Sequence, residues 1–140
     1  MKKVLIVTNH RKCRSPGQRF RFEQYLDYLT VNGFRFEFSN LLSEKDDQIF
    51  YQKGNLLEKF LIYNKSKRIR NNNLIIASNY DIIFIFREAF MTGSIKYESG
   101  FKKAGPKIIY DFDDAIWLPN VSNANKGLEF LKDYGKTKKI

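Results

Sequence analysis

Two short apolar runs constrain this chain most: "KKVLIVTNH" at the N-terminus and "YDIIFIF" at Tyr80 to Phe86. Neither alternates polar with apolar residues, so each reads as a strand buried on both faces, the pattern of a parallel sheet. "KIIYDF" from Lys107 reads as a further strand. Parallel neighbours need long crossovers, and the intervening segments supply them.

"QRFRFEQYLDYLTVNG" spaces Phe22, Tyr25, Leu26 and Leu29 along one helical face and stops at Gly33, a usual residue just past a helix end. "FRFEF" alternates Phe34, Phe36 and Phe38 with Arg35 and Glu37, which predicts a strand nearer a sheet edge. Residues 41–55 are polar and carry no clear period. "NLLEKFLIYNKSKRIRNNNLIIA" has the spacing of one long basic helix, although "LIIA" also fits a short strand. "SIKYESGFKKAG" reads as a short helix ended by Gly105 and Pro106, and "NKGLEFLKDYG" as a last amphipathic piece carrying Leu128 and Leu131.

Strands alternating with helices in this order predict an α/β fold: a Rossmann-like, doubly wound parallel sheet with right-handed crossovers and helices on both faces. The 140 residues suit one such domain with a single core. The apolar runs are too short to span a bilayer, and "MKK" leads into too few apolar residues for a signal peptide. With Cys13 as the only cysteine and His10 as the only histidine, an internal disulfide and a Cys/His zinc site built from this chain alone are excluded. A reduced, cytoplasmic setting follows. The net charge of +10 admits phosphates, nucleic acid or anionic lipid headgroups as partners.

In a doubly wound sheet, ligands bind outside the carboxyl ends of the strands. Three segments must therefore meet there: "NHRKCRSPGQR", "REAFMTG" and "DFDDAIW". The first belongs to a stretch that holds Arg11, Lys12, Arg14, Arg19 and Arg21 with no acid among them. Cations are disfavoured at a helix N-terminus, a cost of about 0.3–1 kcal/mol each that a bound phosphate would reverse. Gly17 would let such a ligand approach the backbone. The alternative is a solvated basic face paired with groups such as Glu23.

Asp111, Asp113 and Asp114 crowd one strand end, where carboxylates repel unless a cation, a metal or a hydroxyl-rich ligand joins them or one is protonated. A metal site, a sugar-binding site and a structural cluster capping the turn and pairing with Lys107 are the competing readings. Arg87 and Glu88 emerge at the same edge and either bind ligand or bridge each other. Trp117 beside Pro119 reads as a packing anchor. Cys13 and His10 have no partners at nucleophile spacing.

Two family resemblances meet at the aspartates. "DFDD" after an apolar strand resembles the first motif of haloacid-dehalogenase-type phosphatases, which implies Asp111 as nucleophile, Asp113 as acid/base and bound magnesium. Ala115 stands where that motif has Thr or Val, and the motif lies late in the chain rather than at the first strand.

The second resemblance covers nearly the whole chain. "KKVLIVTNH", "SPGQRFRFEQYLDYLTVNGFRFEFS", "YDIIFIFREAF" and "KIIYDFDDAIWLP", followed by "NANKGLEFLKDYGKTKKI", together resemble, in order and spacing, the N-terminal part of bacterial family 4 glycosyltransferases of the GT-B fold. These retaining enzymes move a sugar from a nucleotide-sugar to an acceptor, often a lipid-linked polysaccharide at the inner face of the membrane, and generally without a metal or other cofactor. The resemblance implies an acceptor-side domain in which Gly17, Arg19 and Arg21 face the interdomain cleft. It implies that Asp113 replaces a sugar-contacting histidine; Arg87, Glu88, Asp111 and Asp114, by their place at the same strand-end edge, are the further candidate substrate-binding residues. Residues 1–140 would then form one domain, incomplete at its C-terminal end and inactive without the donor-binding domain that such enzymes carry. A magnesium-dependent phosphatase is the enzyme alternative; a non-catalytic anion-binding domain is the third, with nucleic acid the less expected partner.

Overall fold

The computed structural model describes residues 1–112, 133 and 135–139. Its frame is β1 (Lys2–Thr8), α1 (Pro16–Arg21), α2 (Leu26–Val31), β2 (Phe34–Asn40), α3 (Glu44–Phe50), α4 (Leu56–Ile76), β3 (Ile82–Phe86), α5 (Lys96–Lys103) and β4 (Lys107–Asp111). The four strands form one parallel sheet in the order β2-β1-β3-β4. This is a Rossmann-like α/β fold.

The strand order determines which face each helix covers. The chain steps from β1 to β2 in one direction, then crosses back over β1 to β3 and continues to β4. Right-handed crossovers therefore send α1 and α2 to one face, and α3, α4 and α5 to the other. The two cores match this division. Leu5, Val7, Ile83 and Ile85 pack with Ile62 of α4 and with Tyr97 and Phe101 of α5. Val4, Ile6 and Phe86 pack with Phe22 and Leu26, against a flank of Phe34, Phe36 and Phe38. Both faces of β1 are thus covered, which is why its sequence does not alternate. On β2, an edge strand, the alternation places the three phenylalanines on the α1–α2 side and Ser39 on the other.

The single helix expected from residues 18 to 33 is broken. Phe22 leaves the helical region at φ −144° and ψ −32°, and a short 3-10 turn (Glu23–Tyr25) separates α1 from α2. Its ring lies 5.1 Å from that of Phe84, 5.6 Å from Phe86 and 6.2 Å from Phe38. Aromatic burial on three strand neighbours outweighs continuity of the helix here.

The polar stretch after β2 contains α3, opened by a capping box in which Ser43 and Asp46 satisfy each other's backbone N–H groups. "LIIA" belongs to the end of α4 and the 3-10 turn after it, not to a strand. Gly33 follows α2 at φ +90° and Gly105 follows α5 at φ +102°, both as expected of helix-ending glycines. The amphipathic piece expected near Leu128, together with Trp117 and Pro119, lies outside the described residues. Among the described residues no helix is long and apolar enough to cross a membrane.

Candidate functional site

The order β2-β1-β3-β4 puts the switch of chain direction between β1 and β3, so the crevice expected of this architecture opens beyond Thr8 and Phe86. Beneath it lies Arg70, a fully buried residue of α4. Its guanidinium donates to the carbonyl oxygens of Thr8, Ser39 and Ala89, to Ser39 Oγ and to Asn73 Oδ1. One side chain thereby ties the carboxyl ends of β1 and β2 to the segment after β3. Burial pushes its pKa down to about 9, so it remains charged at neutral pH.

Above that floor, His10 and Asp47 meet from β1's loop and α3. His10 Nδ1 lies 3.5 Å from Asp47 Oδ1, and His10 Nε2 lies 3.2 Å from the Tyr51 hydroxyl. The Nδ1 contact is electrostatic rather than a hydrogen bond, and which partner donates between Nε2 and Tyr51 depends on the imidazole tautomer. Burial holds the His10 pKa below its ordinary value; Asp47 opposes this, and Arg14, Arg87 and Arg11 add to it. Burial also raises the Tyr51 pKa, so its hydroxyl stays protonated. Arg14 and Arg11 both pair with Asp47 Oδ2.

Three buried polar atoms in this crevice lack a hydrogen-bond partner: Asn9 Oδ1, His10 Nδ1 and Asp47 Oδ1. Asn9 uses its amide nitrogen instead, donating to Glu88 Oε1 at 3.3 Å. The site therefore presents acceptors for hydroxyl hydrogens beside several guanidinium groups, a mixed character suited to a polar ligand that carries both hydroxyls and negative charge.

Arg87 sits at this edge with φ +65°, which an L-residue adopts only when its surroundings hold it there. β4 supplies the hold: the Arg87 N–H donates to the Asp111 carbonyl at 2.7 Å, and the Tyr110 hydroxyl donates to the Arg87 carbonyl. Glu88 faces the buried Lys136, whose ammonium is 4.0 Å from Glu88 Oε2 and 2.8 Å from Glu98 Oε1. The same ammonium donates to the carbonyls of Phe90 and Thr92 and so holds the loop after β3.

Arg21 and Asp111 meet in a two-pronged ion pair. Asp111, read as paired with Lys107 in the structural alternative, instead has both carboxylate oxygens on Arg21. Glu23 likewise does not serve the arginines as the basic-face alternative supposed. Its carboxylate accepts the backbone N–H of Cys13, a residue at φ +64°, and the Gln18 amide, and so fastens the loop after β1. Gly17 lies within the first turn of α1 rather than in the loop, and Arg19 is exposed on that helix. Asp113 and Asp114 lie outside the described residues. Among the described residues no group of three His, Cys, Asp or Glu side chains is placed to hold a metal ion.

His10, Asp47, Tyr51, Asn9 and Arg70 were not singled out by sequence pattern as site residues. The lone histidine after β1 was the one available signal, and its partners come from α3 and the residue after it, inside the stretch that has no period. Comparison with protein-family models, characterised proteins and solved structures gives no match to this chain.

Proposed function

We propose that this chain is the acceptor-side domain of a retaining GT-B glycosyltransferase, taking part in transfer of a sugar from a nucleotide-sugar to a polysaccharide or lipid-linked acceptor. The observation that carries the reading is the pairing of unsatisfied buried acceptors, Asn9 Oδ1 and Asp47 Oδ1, with the guanidinium groups of Arg11 and Arg14 at the strand-order switch. Acceptors suit sugar hydroxyls, and guanidinium groups suit a diphosphate. In this reading Arg19 and Arg21 lie toward the anionic part of the substrate. Asp113, two residues beyond the carboxylate that Arg21 holds, contacts the transferred sugar and stabilises positive charge developing at its anomeric carbon. A second, donor-holding domain completes the reaction.

The test has a binding arm and a transfer arm. Backbone amide spectra are recorded with saccharides linked to a diphosphate, with the same saccharides free, and with inorganic diphosphate. Shifts at Asn9, His10 and Tyr51 that need the sugar, and that weaken in Asn9→Ala, are expected. Joined to a matching donor domain, the chain should lose transfer with Asp113→Ala and weaken with Arg19→Ala. Equal response to inorganic diphosphate alone would instead favour a plain anion-binding domain. Magnesium-dependent phosphate release from a generic ester, lost in Asp111→Asn, would establish the phosphatase.

A further inference from the structure

The outer edge of β2 is paired by no described residue. The chain leaves this strand through α3 and α4 and re-enters the sheet as β3 on the far side of β1, so β2 stays at the margin. Backbone groups alternate between the two edges of a strand, and Gly33 turns its carbonyl toward β1, where it accepts the Lys2 N–H at 2.8 Å. In the register that pairs Lys2 with Phe34 and Thr8 with Asn40, Arg35 and Glu37 therefore bond toward β1. The N–H and C=O groups of Phe34, Phe36 and Phe38 point outward. None of these outward groups has a hydrogen-bond partner among the described residues.

Natural sheets guard such an edge with lysine, proline, a bulge or a very short strand. β2 runs for seven residues, pairs without a bulge and contains neither lysine nor proline. What it does carry is one cation and one anion, Arg35 and Glu37, both exposed and on the same face. Their placement is self-complementary. When a second β2 runs antiparallel with Phe36 opposite Phe36, the outward groups of Phe34, Phe36 and Phe38 meet those of Phe38, Phe36 and Phe34, and each opposed pair exchanges two backbone hydrogen bonds. Arg35 then stands opposite Glu37 on both sides of the two-fold axis, at the closer, non-hydrogen-bonded spacing. The adjacent registers that also match outward groups set Arg35 against Arg35 or Glu37 against Glu37. Like charges directly opposite destabilise a pair, so charge selects one register. Glu37 also hydrogen-bonds the Tyr80 hydroxyl of its own chain, and a carboxylate has lone pairs for both partners. On the other face, the half-buried rings of Phe34 and Phe36, stacked 6.3 Å apart, continue into those of the second copy.

We propose that β2 pairs with β2 of a second copy of this chain, antiparallel and centred on Phe36, joining two four-stranded sheets into one. The inference rests on this edge and not on the proposed reaction. The two candidate sites then lie at opposite ends of the joined strands.

Sedimentation velocity over a concentration series tests it. The unaltered chain should pass from monomer to dimer as its concentration rises. Arg35→Glu or Glu37→Arg alone makes both opposed pairs alike in charge and should weaken dimerisation by at least about tenfold. Mixed in equal amounts, these two variants should dimerise with each other, because the carboxylates of one copy then face the guanidinium groups of the other. Both substitutions in one chain should restore self-association. Circular dichroism should be unchanged throughout, since both side chains are exposed. An unaltered chain that remains monomeric up to its solubility limit would overturn the proposal, as would single variants that dimerise as tightly as the unaltered chain. So would a mixture, or a doubly substituted chain, in which the dimer does not return.

Discussion

Arg21, on the first helix, and Asp111, on the last described strand, lie ninety positions apart in the chain and share a two-pronged ion pair at the carboxyl edge of the sheet. The pair joins the α1 end of one crossover to the tip of β4. One residue from each of the two charge clusters that stand out in the sequence, the arginines after β1 and the aspartates that begin at the end of β4, thereby meets the other.

A double-mutant cycle with Arg21→Ala and Asp111→Ala should give a coupling of about 0.5–1 kcal/mol in chemical denaturation, since Arg21 is half exposed and solvent screens the pair. Exchanging the two residues should recover part of the loss. A coupling of zero would mean that the contact does not hold α1 to β4.

Arg70→Met should destabilise the fold by about 3 kcal/mol or more, because it leaves the buried carbonyls of Thr8, Ser39 and Ala89 without their donor. Arg70→Lys should recover little, since one ammonium cannot reach three diverging carbonyls in the geometry of a guanidinium fork. Urea unfolding of the three proteins distinguishes this from a simple loss of packing, which Met would largely replace.

His10 is the only histidine, so its ring resonances report one site without ambiguity. Its midpoint should fall below 6.5, because burial disfavours the imidazolium. Asp47→Asn should lower it further, since Asp47 opposes the shift and its loss leaves Arg14 and Arg11 unopposed. The stability consequence has a definite sign. Above 6.5 the ring is neutral in both folded and unfolded chains and costs nothing. As pH falls through 6.5 the unfolded chain takes up the proton first, so stability decreases until the folded ring also protonates. A midpoint at or above 6.5 would contradict the buried, neutral imidazole.

Phe22→Ala should cost about 3–4 kcal/mol, because its ring fills the space between Phe38, Phe84 and Phe86 on the α1–α2 face. Phe60→Ala should change stability by no more than about 0.5 kcal/mol, because that ring lies in solvent. Equal costs would mean that Phe60 is covered in the folded protein.

The strands could be read from the sequence because burial on both faces leaves a mark in one dimension. Val4 to Val7 and Ile82 to Phe86 are apolar without interruption, whereas the edge position of β2 is written in the alternation of Phe34, Phe36 and Phe38. Helix-ending glycines at 33 and 105 were equally plain, since a left-handed backbone leaves few other choices. The break at Phe22 was not, because it depends on three rings that come from other strands.

The site divides in the same way. Strand-end placement of Arg87, Glu88 and Asp111 follows from local pattern and the parallel architecture. The meeting of His10 with Asp47 and Tyr51, the grip of Arg70 on three chain segments and the outward turn of Leu57 and Phe60 do not. Each depends on how crossovers of fixed hand fold distant segments over the sheet. Periodicity reports that a helix has two sides, but only packing decides which side faces the core. In α4 a buried guanidinium, satisfied by strand-end carbonyls, shares the inward side with Ile62, while Leu57 and Phe60 face solvent.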